Sequence, residues 1–346
     1  MKPVKIALLT GGGDCPGLNA VIRAVVRKGQ LSYGDQLVGF TDGWRGALEN
    51  THISLDVARC RGILPRGGTM LGSSRTNPAR VPGGMERVIA NVEKLGIDGI
   101  IPIGGDDTLS VAHALAGMGV RVVGVPKTID NDLRGTEVTF GFHTAVQTAT
   151  DAIDRLHTTA ESHDRVIVCE VMGRHAGWIA LYAGIAGGAA EIVIPEEPFD
   201  VAAICHRLTE RHQKGRYASV VVIAEGAVPK GGTLTTASRE LDQFGHVRLG
   251  GIGAALAEEI ERITGMEARV TTLGHIQRGG TPTAFDRVLA TRFGIAAIDA
   301  MHRDETDVMV ALVAGEIVTV PFEVALSSPK TVDPALLHEV AEMFFS

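Results

Sequence analysis

The order of apolar and polar positions along the chain follows a repeated grammar. A short run of branched apolar residues comes first, then a Gly-rich polar loop, then a stretch with helical spacing. Val4–Leu9 precedes Thr10-Gly-Gly-Gly-Asp-Cys-Pro-Gly17, after which Leu18, Val21, Ile22, Val25 and Val26 fall on the i, i+3, i+4, i+7 stripe of a packed helix. Gly99–Ile103 precedes Gly104-Gly105-Asp106-Asp107, and Leu109, Ala112, Leu115 and Ala116 continue on one helical face. Val120–Val125 leads into Pro126-Lys127-Thr128-Ile129-Asp130-Asn131-Asp132. The second half repeats the pattern: Val166–Val171 runs into Met172-Gly173-Arg174, Val220–Ala224 ends at Glu225-Gly226, and Val270–Leu273 runs into Gly274-His275-Ile276-Gln277-Arg278. A shorter run, Glu191–Ile194, stops at Pro195.

Near-continuous apolar strands alternating with helices predict mostly parallel α/β sheets covered on both faces. Ligands of such sheets bind beyond the carboxyl ends of the strands, where all these polar loops fall. Two sets of loops predict two α/β domains facing one cleft, with the first crossover near Gly141–Thr144. The stretch Gly226–Gly251 is polar, turn-rich and weakly periodic, and reads as an insertion or surface excursion.

Composition narrows the function classes. The chain has 346 residues, room for two domains with substantial cores, and 43 glycines that cluster after the apolar runs and punctuate strands. Its 33 Lys plus Arg against 40 Asp plus Glu give a net charge of −7, and no basic tail is present to coat nucleic acid. A few local arginines can still outvote that sign for an anionic small molecule. No apolar run approaches the roughly 20 residues of a membrane helix. The opening MKPVKIALLTGGGD has lysines and then only Ile6–Leu9, too short for a signal core, so a cytoplasmic protein is expected. The four cysteines are scattered, without CxxC or Cys/His metal spacing, and read as reduced thiols with no catalytic role.

Several loops carry candidate chemistry. Thr10–Gly17 lies between strand and helix, where backbone amides and the helix N-terminus can cradle phosphate; it reads equally as a tight turn, with Asp14 a turn former. It is neither G-x-G-x-x-G nor a Walker loop, which argues against a nicotinamide-dependent dehydrogenase. Asp106 and Asp107 suit Mg²⁺, which takes one or two carboxylates plus phosphate oxygens, or one of them caps the following helix. Asp130 and Asp132 flank Asn131 just after a strand, where one carboxylate can accept a proton from a hydroxyl while its neighbour holds metal-bound water; the alternative is an Asx turn. Lys127, between a proline and these acids, suits a phosphate. Arg66, Arg75, Arg80, Arg165, Arg174, Arg269 and Arg278 all lie near Gly-rich or strand-end loops, and as a group they imply a phosphorylated substrate. Taken singly, each is also an ordinary salt-bridge partner, and His275 an ordinary structural histidine.

Seven segments in order, TGGGDCPGLNAVIR, RGGTMLGSSR, GGDDTLSVA, PKTIDNDL, VMGRHAG, AEG and LGHIQRGGTPTAFDR, resemble the phosphofructokinases along nearly the whole chain. The resemblance implies two Rossmann-like three-layer α/β/α domains, each with a mostly parallel sheet. It assigns residues 1–141 plus about 277–300 to the phosphoryl donor and Mg²⁺, and residues 142–276 plus about 301–346 to fructose 6-phosphate. It implies phosphoryl transfer to the sugar 1-hydroxyl in a homodimer or homotetramer whose sugar sites are shared between subunits. By the same resemblance Asp130 is the general base, Asp106 the Mg²⁺ ligand, Gly13 the donor-phosphate cradle, and Thr128 a contact of the transferring group. Asp132 supports metal or base, and Arg75 and Arg174 stabilise the moving phosphoryl. Met172, Gly173, Arg174, Glu225, His275 and Arg278 bind the sugar phosphate from one subunit, with Arg165 and Arg269 reaching over from its neighbour.

Gly-Gly-Asp-Asp and Pro-Lys-Thr-Ile-Asp resemble the pyrophosphate-dependent branch, where ATP-using members typically carry Gly at both of the variable positions. By the resemblance, the Asp107 carboxylate takes the space of ATP's α-phosphate. Two like charges about 4 Å apart repel by about 4 kcal/mol in a near-surface dielectric, close to a thousandfold in affinity. Lys127 supplies positive charge for pyrophosphate, although some ATP-using relatives carry a lysine there too. The expectation is a reversible pyrophosphate–fructose-6-phosphate phosphotransferase, usable in glycolysis and gluconeogenesis. The alternatives are an ATP-dependent enzyme of the same fold and a catalytically silent sugar-phosphate sensor. The second anion site of allosteric bacterial members is expected to be incomplete: Arg23, Arg27, Lys214 and Arg216 match parts of it, whereas Val57 cannot hold a phosphate.

Overall fold

The structure, a computed structural model, describes residues 3–232 and 251–344, so most of the stretch read as an insertion lies outside the described residues. The chain divides into two units, residues 1–144 with 278–329 and residues 145–277 with 330–346.

The first unit runs β1 (Lys5–Thr10), α1 (Leu18–Lys28), β2 (Gln36–Phe40), α2 (Trp44–Glu49), β3 (His52–Leu55), α3 (Gly84–Lys94), β4 (Gly99–Gly104), α4 (Asp106–Gly117), β5 (Val123–Thr128) and β6 (Phe140–Gly141). The crossover to the second unit lies inside α5 (Phe142–Glu161). That unit holds β7 (Val166–Val171), α6 (Trp178–Ala186), β8 (Glu191–Val193), α7 (Val201–Gln213), β9 (Ser219–Ala224), α8 (Ile252–Thr264) and β10 (Ala268–Thr272). The chain then returns to the first unit with α9 (Ala284–His302), β11 (Val308–Val313), β12 (Glu316–Pro321) and α10 (Phe322–Ala325), and ends in the second with α11 (Pro334–Phe344).

The first sheet has the order β12-β11-β5-β4-β1-β2-β3, with β6 paired to β5. It is parallel except at its edges, where β3 and β12 run antiparallel to β2 and β11. The second sheet, β10-β7-β9-β8, is wholly parallel. Strands β4, β5, β7 and β9 are buried at every position, as strands covered on both faces must be, and this is why their sequences are largely apolar without alternation. Each unit has its own core, one around Leu9, Phe40, Ile100 and Phe322, the other around Val168, Val221, Leu256 and Ile260.

Two boundaries differ from the sequence reading. Residues 301–329 were expected with the sugar domain, but Val308 and Met309 pair with Val123 and Gly124, and the β11–β12 hairpin completes the first sheet. The apolar run Val308–Leu312 fits a strand beside β5, and strand periodicity alone cannot say which sheet it joins. Strand β5 also begins at Val123 and continues through Thr128, so Pro126-Lys127-Thr128 belongs to a buried strand and not to the turn after it. At the crossover, α9 is capped by Thr283, whose Oγ1 accepts from the Asp286 amide. The Asp286 carboxylate in turn accepts from the Gly141 amide at 3.0 Å and the Thr144 amide at 2.7 Å.

Candidate active site

The Gly-rich loop after β1 is strapped to residues 66–75 through main-chain groups. Thr10 Oγ1 donates to the Gly72 carbonyl at 2.6 Å, Asn19 Nδ2 donates to the Arg66 carbonyl at 3.0 Å, and Asn19 Oδ1 accepts from the Met70 amide at 2.8 Å. The Gly11 and Gly12 amides are committed to the carbonyls of Ile103 and Ser74. The two separate sequence segments are thus one structural loop pair, with Arg75 exposed on it. Gly13 packs flat against Arg278, and a Cβ there would sit 2.5 Å from Arg278 Nη1.

Beyond β4, Gly104 and Gly105 turn the chain so that Asp106 and Asp107 open α4, both exposed in its first turn, where the helix dipole favours carboxylates. Their position is set by Thr108, a residue the sequence reading passed over. Its side chain fills the room a Cβ on Gly104 would need, and its carbonyl accepts from Trp44 Nε1 at 3.1 Å.

Strand β5 delivers Lys127 and Thr128. Lys127 is only 5% exposed, and its ammonium donates to the Gly13 carbonyl at 2.6 Å. Burial draws this lysine below its usual pKa, and the Arg278 charge pulls the same way. Thr128 Oγ1 accepts from the Asp130 amide at 3.0 Å. Asn131 takes the left-handed conformation that Asn tolerates, with φ 52°. Its amide group bridges the turn, accepting from the Thr139 amide at 3.1 Å and donating to the Glu137 carbonyl. Burial raises the Asp132 carboxyl, and the neighbouring Asp106 charge raises it further. Strand β5 and the loops after β1, β4 and β5 therefore bring Lys127, Gly13, Asp106 and Asp132 into one neighbourhood.

In the second unit the carboxyl ends of β7, β9 and β10 gather another set. Gln277 is wholly buried: its Oε1 accepts from the Met172 amide at 3.3 Å and its Nε2 donates to the Gly274 carbonyl at 3.0 Å. The Gly226 amide donates to the Gly173 carbonyl at 3.0 Å, and the Glu225 amide to Val171 at 2.9 Å. Met172, Gly173, Arg174, Glu225 and His275 thus share one end of this sheet. Arg165 and Arg269 do not join them. They lie at the opposite, amino ends of β7 and β10, where Glu267 binds both, with its Oε2 at 2.8 Å from Arg165 Nε. Arg165 holds the Glu267 carboxyl below its usual range.

The phosphofructokinase family profile matches residues 5–301. The chain belongs to the phosphofructokinase family. Among relatives of this family, it is 59% identical over 342 residues to the pyrophosphate–fructose 6-phosphate 1-phosphotransferase of Streptomyces coelicolor, covering 99% of this chain and 100% of that one. It is also 54% identical to the ATP-dependent 6-phosphofructokinase of Corynebacterium efficiens, over 96% of both chains. Among solved structures, it superposes on the phosphofructokinase of Pichia pastoris with a TM-score of 0.84 and 30% identity, over all of this chain and 37% of the yeast chain. Similar phosphofructokinases thus carry both donor names, and no helix among the described residues is long and apolar enough to cross a membrane.

Proposed function

We propose that this phosphofructokinase transfers a phosphoryl group from pyrophosphate to the 1-hydroxyl of fructose 6-phosphate, reversibly. The observation that carries the donor choice is Asp107, exposed in the first turn of α4 beside Asp106, where its charge and bulk oppose a nucleotide's α-phosphate. The buried cation Lys127 supports the same reading, because it lies beside the loop that would hold an inorganic donor. The first unit supplies the donor site, the proton chemistry and Arg278, and the second supplies the other residues assigned to the sugar phosphate.

In this reading Asp130 accepts the proton of the attacking hydroxyl, on a turn fixed by Thr128 and Asn131. Thr128, Arg75 and Arg174 meet the moving phosphoryl group, and Lys127 with Gly13 holds the donor. Met172, Gly173, Glu225, His275 and Arg278 bind the sugar phosphate, and Arg165 and Arg269 serve the site of a neighbouring copy, in a dimer or tetramer. Phosphoryl transfer needs mainly positioning and charge stabilisation, which is what these groups offer.

The residues fit Mg²⁺. Asp132 is strained by the like charge of Asp106, a pair that a divalent cation relieves, and Mg²⁺ needs few carboxylates when phosphate oxygens complete its shell. Asp106 would hold it with Asp132 in support; bound there, it would neutralise donor charge. The test is a donor swap at fixed fructose 6-phosphate: turnover with pyrophosphate is expected, and robust turnover with ATP alone overturns the reading. Asp107→Gly should raise ATP affinity by a factor of hundreds.

A further inference from the structure

The Asp286 side chain, in the first turn of α9, is wholly buried. Its Oδ1 accepts from the Gly141 amide at 3.0 Å. Its Oδ2 accepts from the Thr144 amide at 2.7 Å and from the Thr144 hydroxyl at 2.5 Å. Burial pushes this carboxyl up, and the hydrogen bonds from Thr144 and Gly141 oppose that. A helix N-terminus is usually capped by the residue next to it. Here the acceptor comes from another helix and reaches past the start of α5 into β6.

Gly141 closes a loop. Strand β6 pairs with β5 through Lys127 with Phe140 and Thr128 with Gly141, and Thr139 Oγ1 donates to the Thr128 carbonyl at 2.8 Å. Residues 128–141 are thus joined at their base, and the loop between carries Asp130 and Asp132. Thr128 Oγ1, at that base, accepts from the Asp130 amide at 3.0 Å. The other side of β6 rests on the Gly-rich loop after β1. A Cβ on Gly141, whose φ is 96°, would lie 2.6 Å from Cys15 Sγ, and one on Gly17 would lie 2.6 Å from Phe140 Cδ2. Gly141 has no side chain by which to be located, so its main chain must be held, and the Asp286 carboxylate takes that amide.

We infer that Asp286 is a positioning residue for phosphoryl transfer, which rests on Asp130 being the base proposed above. It fixes β6 against β5 and so sets where Asp130 stands. The test measures kcat, the KM for fructose 6-phosphate and the thermal midpoint in the full chain, with the donor that the donor swap selects. Asp286→Asn keeps the size and replaces one acceptor by a donor. Its kcat should fall by about 10–100-fold while KM changes by less than about threefold, as expected when a reacting group is misplaced. Thr144→Val removes only the hydroxyl contact and should cost about two- to tenfold in kcat, restored by Thr144→Ser. Leu289→Ala, which hollows the buried face of the same helix, should lower the thermal midpoint and leave kcat unchanged. Asp286→Asn combined with Asp130→Asn should lie within about threefold of Asp130→Asn alone, because losses through one shared step do not add. Where Asp286→Asn does not fold, Thr144→Val takes its place in both comparisons. Parental kcat in the variant tested overturns the inference, as does an equal fall in Leu289→Ala. Losses that multiply in full in the double variant make Asp286 a structural residue only and overturn it too. Undiminished kcat in Asp130→Asn removes the base itself, a failure distinct from these.

Discussion

The cations proposed above to meet anionic ligands are of two kinds, and they are built differently. Lys127 sits in a central strand, out of water, tied to a main-chain carbonyl of the loop it would serve. Arg165 and Arg269 sit at strand ends near the surface, tied to a carboxylate, Glu267, that any phosphate must replace. A buried cation held by backbone is preorganised and poorly screened by salt. An exposed pair is screened and gains little from its partner. Donor recognition should therefore resist ionic strength, and sugar-phosphate recognition should weaken with it.

The largest effect expected on the first side of this comparison is at Asp130. Asp130→Asn keeps the turn and removes the proposed base, and kcat should fall by about 10²–10⁴-fold with the sugar KM little changed. A loss confined to KM would move the base elsewhere.

Lys127→Met should lower kcat/KM for the donor by about 10–100-fold, the worth of one charge-assisted hydrogen bond, while Lys127→Arg retains more. The pH dependence has a definite sign. Because the folded chain lowers this lysine below its ordinary 10.5, its charge is lost as pH rises through that lowered value. Donor affinity should then fall at an alkaline pH where a surface lysine is still protonated. Over the same window the unfolded chain binds more protons than the folded one, so this group adds stability as pH rises and removes it as pH falls. An alkaline limb unmoved in Lys127→Arg would assign it to another group.

On the exposed side the expected effects shrink. Glu267→Gln leaves Arg165 without its internal anion and Arg269 with only Glu261, 3.6 Å away, and the sugar-phosphate KM should drop by about two- to fivefold, less at high salt. An increase in KM would mean that Glu267 aims the arginines and does not compete for them. The smallest signal comes from the thiols. Cys15, Cys60, Cys169 and Cys205 are all buried, and burial raises each thiol, that of Cys60 to about 11. A thiol reagent should therefore find no fast-reacting group in the native protein; one fast equivalent would mark local opening.

Much of this was legible one residue at a time. The α/β grammar, the parallel strands and the carboxyl-end loops follow from apolar runs punctuated by glycine, because a strand buried on both faces has no freedom to alternate. The Thr283-x-x-Asp286 spacing is a readable cap signature, although nothing in it says that Asp286 also pins Gly141 and Thr144. Gln277 and Thr108 carried no signal of their own: a buried amide and a wedged threonine look like any polar residue in a loop until their neighbours are known.

The sequence by itself determined which chemical groups this protein owns and the order of strands and loops that present them, since both depend on local spacing. The tertiary structure decided what each group faces. It turned Lys127 inward onto Gly13, gathered Met172, Glu225 and His275 at one end of a sheet while leaving Arg165 and Arg269 at the other, and moved the β11–β12 hairpin into the first unit. Partners far apart in the chain set burial, charge and pairing, and no local pattern encodes which partner arrives.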